Sequence, residues 1–224
     1  YRANSVATRL EPGDFDFDAL FGDDGVRVFN TGGILTLIGP NTADLAVEAA
    51  QKAAEHGVFV SADLNYRSKV EPNKARAQAI NRRLAPYLGM LVGNDSDLAD
   101  ALGYETHGAK GDSFNEWLPA YKETIKEVAR DFPNLSLIGT QWRGARNADI
   151  IGWGAALYDA LNDEWHVSAL REDIPIRDRT GGGDSFASGV LSAILKGHDL
   201  DTAVNWGAAH GILVQETAGD TTMV

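Results

Sequence analysis

Short apolar runs alternate with segments of helical periodicity, and this alternation restricts the fold more than any other feature of the sequence. VRVF (26–29) and VFVSADL (58–64) are each preceded by Gly and followed by Asn, which is typical of buried strands. Between them, residues 42–56 repeat alanine at helical spacing. Parallel strands need such crossover helices, so we expect one α/β domain over residues 1–224 with a mostly parallel central sheet and helices on both faces.

The same patterns predict the remaining elements. The further predicted strands are 33–39, 90–93, 135–139 and a pair within 152–170 that turns at Asn162–Asp163. The further predicted helices are 73–86, 95–102, 115–130, 184–196 and 201–215. Ligands of open parallel sheets bind beyond the carboxyl ends of the strands. Polar residues that follow a strand are therefore the first candidates for a functional site.

Charge and composition narrow the function. The net charge of −12 repels nucleic acid and acidic membrane surfaces, so we expect neither as a partner. It also repels an anionic substrate, and a site for one must carry its own Arg, Lys, helix N-terminus or metal. The absence of Cys excludes disulfides, thiolate zinc sites, iron–sulfur clusters and a Cys nucleophile. No apolar stretch is long enough to span a membrane, and we expect a cytoplasmic protein.

The segment DRTGGGDSFASG (178–189) carries the clearest chemical signal. Its three glycines, Gly181, Gly182 and Gly183, precede a predicted helix, so successive backbone N–H groups and the positive helix end can converge on a phosphate. Asp184, beside them, can accept a proton from an attacking hydroxyl. Taken alone, the pattern is explained equally well by a glycine-rich turn with Asp184 as the helix cap.

This segment resembles the C-terminal signature of the ribokinase/PfkB-type carbohydrate kinases, and within that family it is closest to 2-keto-3-deoxygluconate kinases. Arg179 stands where many members have Thr or another small residue. The resemblance covers the chain from Tyr1 to Val224 and implies a ribokinase-like three-layer α/β/α sandwich. It also implies ATP and Mg²⁺ as cofactors, Asp184 as the catalytic base, and the three glycine amides around the transferred phosphoryl group, Gly181 and Gly183 also binding ATP.

The segment DLNYR (63–67) follows a predicted strand and resembles the sugar site of the same family. By that resemblance, Arg67 binds the carboxylate of the substrate and Asn65 binds hydroxyls or phosphate. Arg2, in the opening YRANS, resembles an arginine that touches the sugar acid in keto-deoxygluconate kinases. Considered alone, a capped strand end with a solvated Arg67 is the better interpretation of DLNYR.

The segment GNDSD (93–97) resembles the family's Asn-x-x-Glu motif, with Asp97 in place of Glu. The resemblance gives Asn94 and Asp97 a role in holding Mg²⁺ through water, and Asn94 a contact with the phosphates of ATP. Mg²⁺ keeps several waters and few protein ligands, which fits so sparse a motif. The alternative is that Asn94 or Asp95 only caps the helix that follows.

Two segments resemble the nucleotide site. GTQWR (139–143) is similar to the family's Thr-x-Arg segment near the nucleotide phosphates, with one extra residue between Thr140 and Arg143. The helix that contains NWGAAHG (205–211) offers small residues, among them Ala208 and Ala209, that suit a flat adenine ring. Close packing between helices explains these small residues at least as well.

The resemblance implies ATP-dependent phosphorylation of a sugar-acid hydroxyl, with 2-keto-3-deoxygluconate and its 6-phosphate as the first choice. Arg2 and Arg67 favour a sugar acid, because a neutral sugar needs no carboxylate clamp. A fructokinase or ribokinase of the same family is the nearest alternative. A sugar-binding homologue without activity is the other, and the presence of Asp184 argues against it.

Part of the family pattern has no counterpart in this chain. The first strands, the glycine pair that belongs to them and much of the lid are missing, and the sequence opens on YRANSVATRL without Met. We therefore expect a fragment of a longer protein. Because the lid of such kinases often builds the dimer, a homodimer or a higher homo-oligomer stays open.

Overall fold

The computed structural model describes residues 5–22, 25–106, 113–147 and 149–219. The chain divides into two compact units. The first comprises residues up to Thr106 together with Lys126–Ser136, and the second comprises His107–Ile125 and the residues from Leu137 onwards. The single domain over residues 1–224 stays a prediction. None of the described helices is both long and apolar enough to cross a membrane.

The first unit is built on three parallel strands. They are β1 (Val28–Gly32), β2 (Phe59–Asp63) and β3 (Met90–Val92), in that order. Its helices are α1 (Phe17–Gly22), α2 (Gly33–Ile38), α3 (Pro40–Glu55), α4 (Lys74–Leu84) and the short α5 (Asp95–Asp97), which continues into a π-helical turn at Leu98–Leu102. The parallel strand–helix alternation expected from the sequence is confirmed here.

Helix α3 shows how the sequence produces this unit. Gly39 has extended backbone, and Pro40 occupies the first helical position, where its missing N–H has no cost. The alanines of one face are buried, as predicted: Ala43, Ala46, Ala49, Ala50 and Ala53. Gly57, just beyond the helix, has a φ of +71°, the left-handed conformation that ends many helices.

The strand predicted at 33–39 is wrong, because these residues form α2. An apolar run of this length fits a strand or a buried helix equally well, since its one polar residue, Thr36, is not enough to reveal a period. At Gly33 the chain passes so close to Leu64 that a Cβ atom would lie 1.7 Å from the Leu64 carbonyl oxygen. The chain turns there into a helix, and the Thr36 hydroxyl donates a hydrogen bond to the Gly33 carbonyl at 3.1 Å.

The second unit contains four strands and two long C-terminal helices. The strands are β4 (Leu137–Ala145), β5 (Ile150–Asp159), β6 (Glu164–Val167) and β7 (Arg171–Pro175), and β5 pairs antiparallel with each of the other three. The helices are α7 (Gly182–Leu195) and α8 (Leu200–Gln215), and a further helix, α6 (Phe114–Asp131), begins in this unit.

The α/β class is thus confirmed, and the expectation of a mostly parallel sheet holds for the first unit only. The strand pairs described in the second unit are antiparallel, because β4 and β5 are joined by four residues, too few for a parallel crossover. The strand pair that turns at Asn162–Asp163 is confirmed. Helices α7 and α8 approach closely where Gly189 meets Gly207: a Cβ atom at Gly189 would lie 2.8 Å from the Gly207 Cα.

Candidate active site

The residues before α7 form a tight turn that is held by the carboxylate of Asp178. This carboxylate accepts the backbone N–H of Thr180 at 2.9 Å and its hydroxyl at 2.8 Å, and the N–H of Gly219 at 3.2 Å. The Thr180 hydroxyl is the largest of the influences that hold the pKa of Asp178 below its ordinary value. Asp178 therefore fixes the shape of the segment that leads into the glycines.

Gly181 ends this turn with a φ of +82° and lies at the N-cap position of α7. Residues with a side chain rarely adopt this conformation, so the backbone itself requires glycine. The helix starts at Gly182, two residues earlier than the sequence predicts. The N–H groups of Gly182 and Gly183 thus belong to the first helical turn, where a helix offers its own N–H groups no partner. Asp184 lies in the same turn, and its side chain is exposed to solvent.

Gly182 is buried, and its surroundings explain why no larger residue occupies this position. A Cβ atom there would lie 3.0 Å from Cη2 of Trp153 and 3.4 Å from Nε2 of Gln215. Gln215 also anchors the turn, because its carbonyl accepts the N–H of Arg177 at 2.8 Å and that of Asp178 at 3.2 Å. The glycine-rich segment is therefore seated on β5 and on the last residue of α8.

Arg179 joins this segment to the turn between β4 and β5. Its guanidinium donates a hydrogen bond to the carbonyl of Asn147 at 3.3 Å. The side-chain oxygen of Asn147 in turn accepts the N–H groups of Asp149 and Ile150, both at 2.9 Å. The position at which this sequence departs from the usual family pattern thus has a defined contact within the same unit.

The two residues of GTQWR that were predicted to contact the nucleotide lie on opposite faces of β4. Side chains alternate along a strand, and Thr140 and Arg143 are three residues apart in an uninterrupted register. Thr140 is fully buried, and its hydroxyl has no hydrogen-bond partner among the residues that the structure describes. Arg143 is exposed. The extra residue noted in the sequence therefore separates two side chains that a Thr-x-Arg spacing would place on one face.

Helix α8 gives its small residues different surroundings. Ala208 is buried and Ala209 is exposed, so only Ala209 offers its side chain to a ligand from solvent. A Cβ atom at Gly207 would lie 2.7 Å from the side chains of Phe186 and Val190 on α7. Close helix packing is therefore the reason for glycine at position 207. The adenine contact of Ala208 and Ala209 stays a prediction.

In the first unit, the loop after β2 has a defined and partly strained shape. The carboxylate of Asp63 accepts the N–H of Asn65 at 3.1 Å, and Asn65 has a φ of +35°, at the edge of a region that asparagine tolerates better than most residues. Tyr66 is buried, and its hydroxyl donates to the carbonyl of Glu71 at 2.8 Å. Arg67 is exposed, and its Nη1 donates to the carbonyl of Tyr66 at 2.8 Å. Its guanidinium is thus within reach of a ligand in solvent.

Asn94 and Asp97 form a reciprocal cap at the start of α5. The side chain of Asn94 accepts the N–H of Asp97 at 2.9 Å, and Oδ2 of Asp97 accepts the N–H of Asn94 at 3.3 Å. Oδ1 of Asp97 accepts the N–H of Tyr66 at 2.9 Å. Burial raises the pKa of Asp97, although both backbone hydrogen bonds oppose this effect. The capping interpretation of Asn94 is confirmed.

The magnesium role of Asn94 and Asp97 stays a prediction. Within the described ranges, no group of three or more His, Asp or Glu side chains is arranged to hold a metal ion. Arg2 lies outside the described residues. The first unit contains Asn65, Arg67, Asn94 and Asp97, and hydrogen bonds of Asp97 join the loop after β2 to Asn94. The second unit contains Thr140, Arg143 and the glycine-rich segment with Asp184.

Sequence reasoning missed the roles of Asp178, Trp153 and Gln215. The first could have been found, because Asp two residues before Thr is a frequent spacing for a carboxylate that closes its own turn. Trp153 and Gln215 are distant in sequence from Gly182, and no local pattern connects them.

The chain is similar to carbohydrate kinases over its whole length. Residues 152–224 match the family model described as pfkB family carbohydrate kinase. A 2-dehydro-3-deoxygalactonokinase of Haloferax volcanii is 27% identical over all 224 residues of the chain, which cover 61% of that relative. The chain thus spans about three fifths of the length of the curated relative.

Solved structures show the same fold. A 2-dehydro-3-deoxygluconokinase from Thermotoga maritima is 30% identical with a TM-score of 0.83, and the match covers 94% of this chain and 60% of that one. A protein assigned as a ribokinase II from E. coli, solved with ATP and Mg²⁺, has a TM-score of 0.70 at 17% identity. The match covers 95% of this chain and 58% of that one. At this low identity, the likeness shows the fold alone. The chain is thus similar to pfkB family carbohydrate kinases over residues 152–224, and to the two kinases named for 2-dehydro-3-deoxy sugar acids over most of its length.

Proposed function

We propose that the protein is an ATP-dependent sugar kinase that phosphorylates a hydroxyl group of a 2-keto-3-deoxy sugar acid. The observation that carries the proposal is the exposed Asp184 in the first turn of α7, a helix that begins directly after the left-handed Gly181. Both residues lie inside the region that matches the family model. The names of the Haloferax and Thermotoga relatives support a sugar acid as substrate. Those names differ in the sugar, so 2-keto-3-deoxygluconate is one member of the proposed class.

Asp184 accepts the proton of the attacking hydroxyl in this proposal. Its exposed carboxylate can reach a substrate, and a general base of this kind contributes about 10²- to 10⁴-fold to the rate. The first N–H groups of α7 bind the transferred phosphoryl group as its charge develops. Phosphoryl transfer depends mainly on positioning and on such electrostatic stabilisation.

ATP and Mg²⁺ are proposed cofactors. The start of α7 suits a phosphate, because its N–H groups follow a backbone conformation that only glycine adopts readily. Asn94 and Asp97 supply oxygen atoms, the ligand type that Mg²⁺ prefers, but both oxygens of Asp97 already accept backbone N–H groups. Bound Mg²⁺ neutralises charge on the phosphates of the nucleotide, and this chain's residues would meet it through water.

Arg67 binds the carboxylate of the substrate in this proposal. Its exposed guanidinium donates one hydrogen bond to the carbonyl of Tyr66 and has further N–H donors for an anion. A protein with a net charge of −12 needs such a local cation to attract an acid. Arg2 is the second proposed cation.

A substrate panel tests the proposal. The full-length protein is assayed for phosphoryl transfer from ATP and Mg²⁺ to 2-keto-3-deoxygluconate, 2-keto-3-deoxygalactonate, ribose and fructose, and binding of each is measured by calorimetry with an ATP analogue. We expect turnover with a keto-deoxy sugar acid and little with the neutral sugars. A preference for ribose or fructose would replace the sugar-acid assignment, and sugar binding without turnover would make the protein a binding homologue.

A further inference from the structure

We propose that Asp97 is a positioning residue for the substrate loop, defined here as Asp63–Arg67: its carboxylate fixes the backbone of the loop and thereby the place of Arg67. The inference rests on the proposed function only where it assigns a substrate to Arg67. It gives Asp97 a different task from the magnesium ligand that the family pattern implies.

Both oxygens of the Asp97 carboxylate accept a backbone hydrogen bond. Oδ1 accepts the N–H of Tyr66 at 2.9 Å, and Oδ2 accepts the N–H of Asn94 at 3.3 Å. The two acceptors thus bind segments that are about 30 residues apart in sequence, one after β2 and one after β3. Asp97 is 7% exposed and Tyr66 is 8% exposed, so water has little access to compete for this hydrogen bond.

The contact is made by the loop residue directly before Arg67. Tyr66 separates Asn65 from Arg67, the two residues with predicted substrate contacts. On the other side of Arg67, its own carbonyl accepts the N–H of Val70 at 2.8 Å and that of Glu71 at 3.1 Å. The Arg67 backbone is therefore held from both sides, and Asp97 provides the hold on the N-terminal side.

The space around Asp97 favours aspartate over the glutamate of the family motif. Asp97 is buried, and its Oδ1 already lies at hydrogen-bond distance, 2.9 Å, from the backbone nitrogen of Tyr66. The aspartate side chain therefore has the length that this contact requires. An additional methylene at position 97 has to displace the loop or its neighbours.

Amide hydrogen exchange and kinetics of the full-length protein test this proposal. Asp97→Ala removes both acceptors, Asp97→Asn keeps one oxygen for the N–H of Tyr66, and Asp97→Glu restores the family residue. Asp95→Asn is the matched control, because it removes the same charge two positions away on the same helical turn. The exchange of the Tyr66 amide is measured without substrate, with β2 and β3 as internal references.

We expect Asp97→Ala to accelerate exchange at Tyr66 and to raise the KM for the sugar acid, each by about tenfold, with smaller effects for Asp97→Asn. The KM for ATP and the Mg²⁺ concentration at half-maximal rate stay unchanged within about twofold. Asp97→Glu also exchanges faster at the Tyr66 amide and has a higher KM for the sugar acid than the wild type. If Asp97→Ala does not fold, Asp97→Asn carries the same comparison.

Three results overturn the proposal. The first is a raised Mg²⁺ requirement with unchanged exchange at Tyr66, which indicates a metal ligand. The second is wild-type behaviour of Asp97→Glu, and the third is faster exchange with an unchanged KM for the sugar acid, which reduces the contact to a structural one. A wild-type protein that phosphorylates no sugar acid contradicts the proposed function, whereas the exchange data still decide whether Asp97 holds the loop.

Discussion

Gly182 packs directly against the indole ring of Trp153: a Cβ atom on this glycine would lie 3.0 Å from Cη2 of the ring. We therefore expect Gly182→Val to destabilise the protein by about 1–3 kcal/mol through overpacking. Because Gly182 begins α7, the variant should also impair ATP use more than sugar binding. Urea denaturation measures the first effect, and the KM values for ATP and sugar acid measure the second.

Ser188→Val is the control for this substitution, since it places the same β-branched side chain at an exposed position of the same helix. Its free energy of unfolding should stay within about 0.5 kcal/mol of wild type. Equal stability of the two variants would show that Trp153 does not restrict position 182.

Gly181 provides a test of backbone conformation alone. Its φ of +82° disfavours any residue with a Cβ, so Gly181→Ala should cost about 1–2 kcal/mol of folding stability and lower kcat. Gly181→Asn should cost less, because asparagine tolerates the left-handed region better. Thermal unfolding and steady-state kinetics of both variants decide this, and a more stable alanine variant would contradict the conformational explanation.

The carboxylate of Asp178 predicts a specific pH dependence of stability. Its pKa in the folded protein is lowered from 3.8, so the unfolded chain binds the proton more readily than the folded one. The stabilisation is present above the ordinary pKa and is lost as the pH falls through the folded value. Asp178→Asn should therefore lower the urea midpoint at about pH 7 and have little effect at about pH 2. If the urea midpoints of the wild type and Asp178→Asn differ by the same amount at both pH values, ionisation of Asp178 does not contribute to stability.

Arg67→Ala should raise the KM for the sugar acid by about one to two decades, because a charge-assisted hydrogen bond contributes about 1.5–3 kcal/mol. Arg67→Lys should recover part of this loss, since it restores the charge without the planar fork. Turnover of a neutral sugar should hardly change. Lys69→Ala, which removes an exposed cation two residues beyond Arg67, is the control for net charge. If Arg67→Ala impairs the use of sugar acids and of neutral sugars equally, Arg67 binds phosphate or stabilises the loop and does not bind the carboxylate.

Most of the helices and strands could be predicted because the residues that specify each of them lie within the element itself. The alanine face of α3 and the apolar runs of β2 and β3 need no knowledge of the remaining chain. Helix α2 could not be predicted, since the close approach of Gly33 to Leu64 that bends the chain there is a tertiary contact. Strand β7 was missed because only Ile174 among its residues is buried, which leaves no alternating pattern.

In the candidate site, too, some features follow from local sequence and others depend on tertiary contacts. The exposed Asp184 after a left-handed glycine was foreseeable from the spacing of the glycines and the helical pattern that follows. The hydrogen bond between Asp97 and Tyr66 was not, because it joins segments after two different strands. The seat of Gly182 on Trp153 likewise depends on how α7 packs on β5. Residue types at the site follow from sequence, whereas the contacts that hold them follow from packing.

The most direct test of the account is the turnover of Asp184→Asn in the full-length protein with ATP, Mg²⁺ and a 2-keto-3-deoxy sugar acid. Glu164→Gln, an exposed carboxylate of the same unit, is the matched control and should keep wild-type activity. If Asp184 is the base, kcat of Asp184→Asn falls by about 10²- to 10⁴-fold while ATP still binds with wild-type affinity. A fall of less than about tenfold in a folded variant would contradict the assignment of Asp184 as the base.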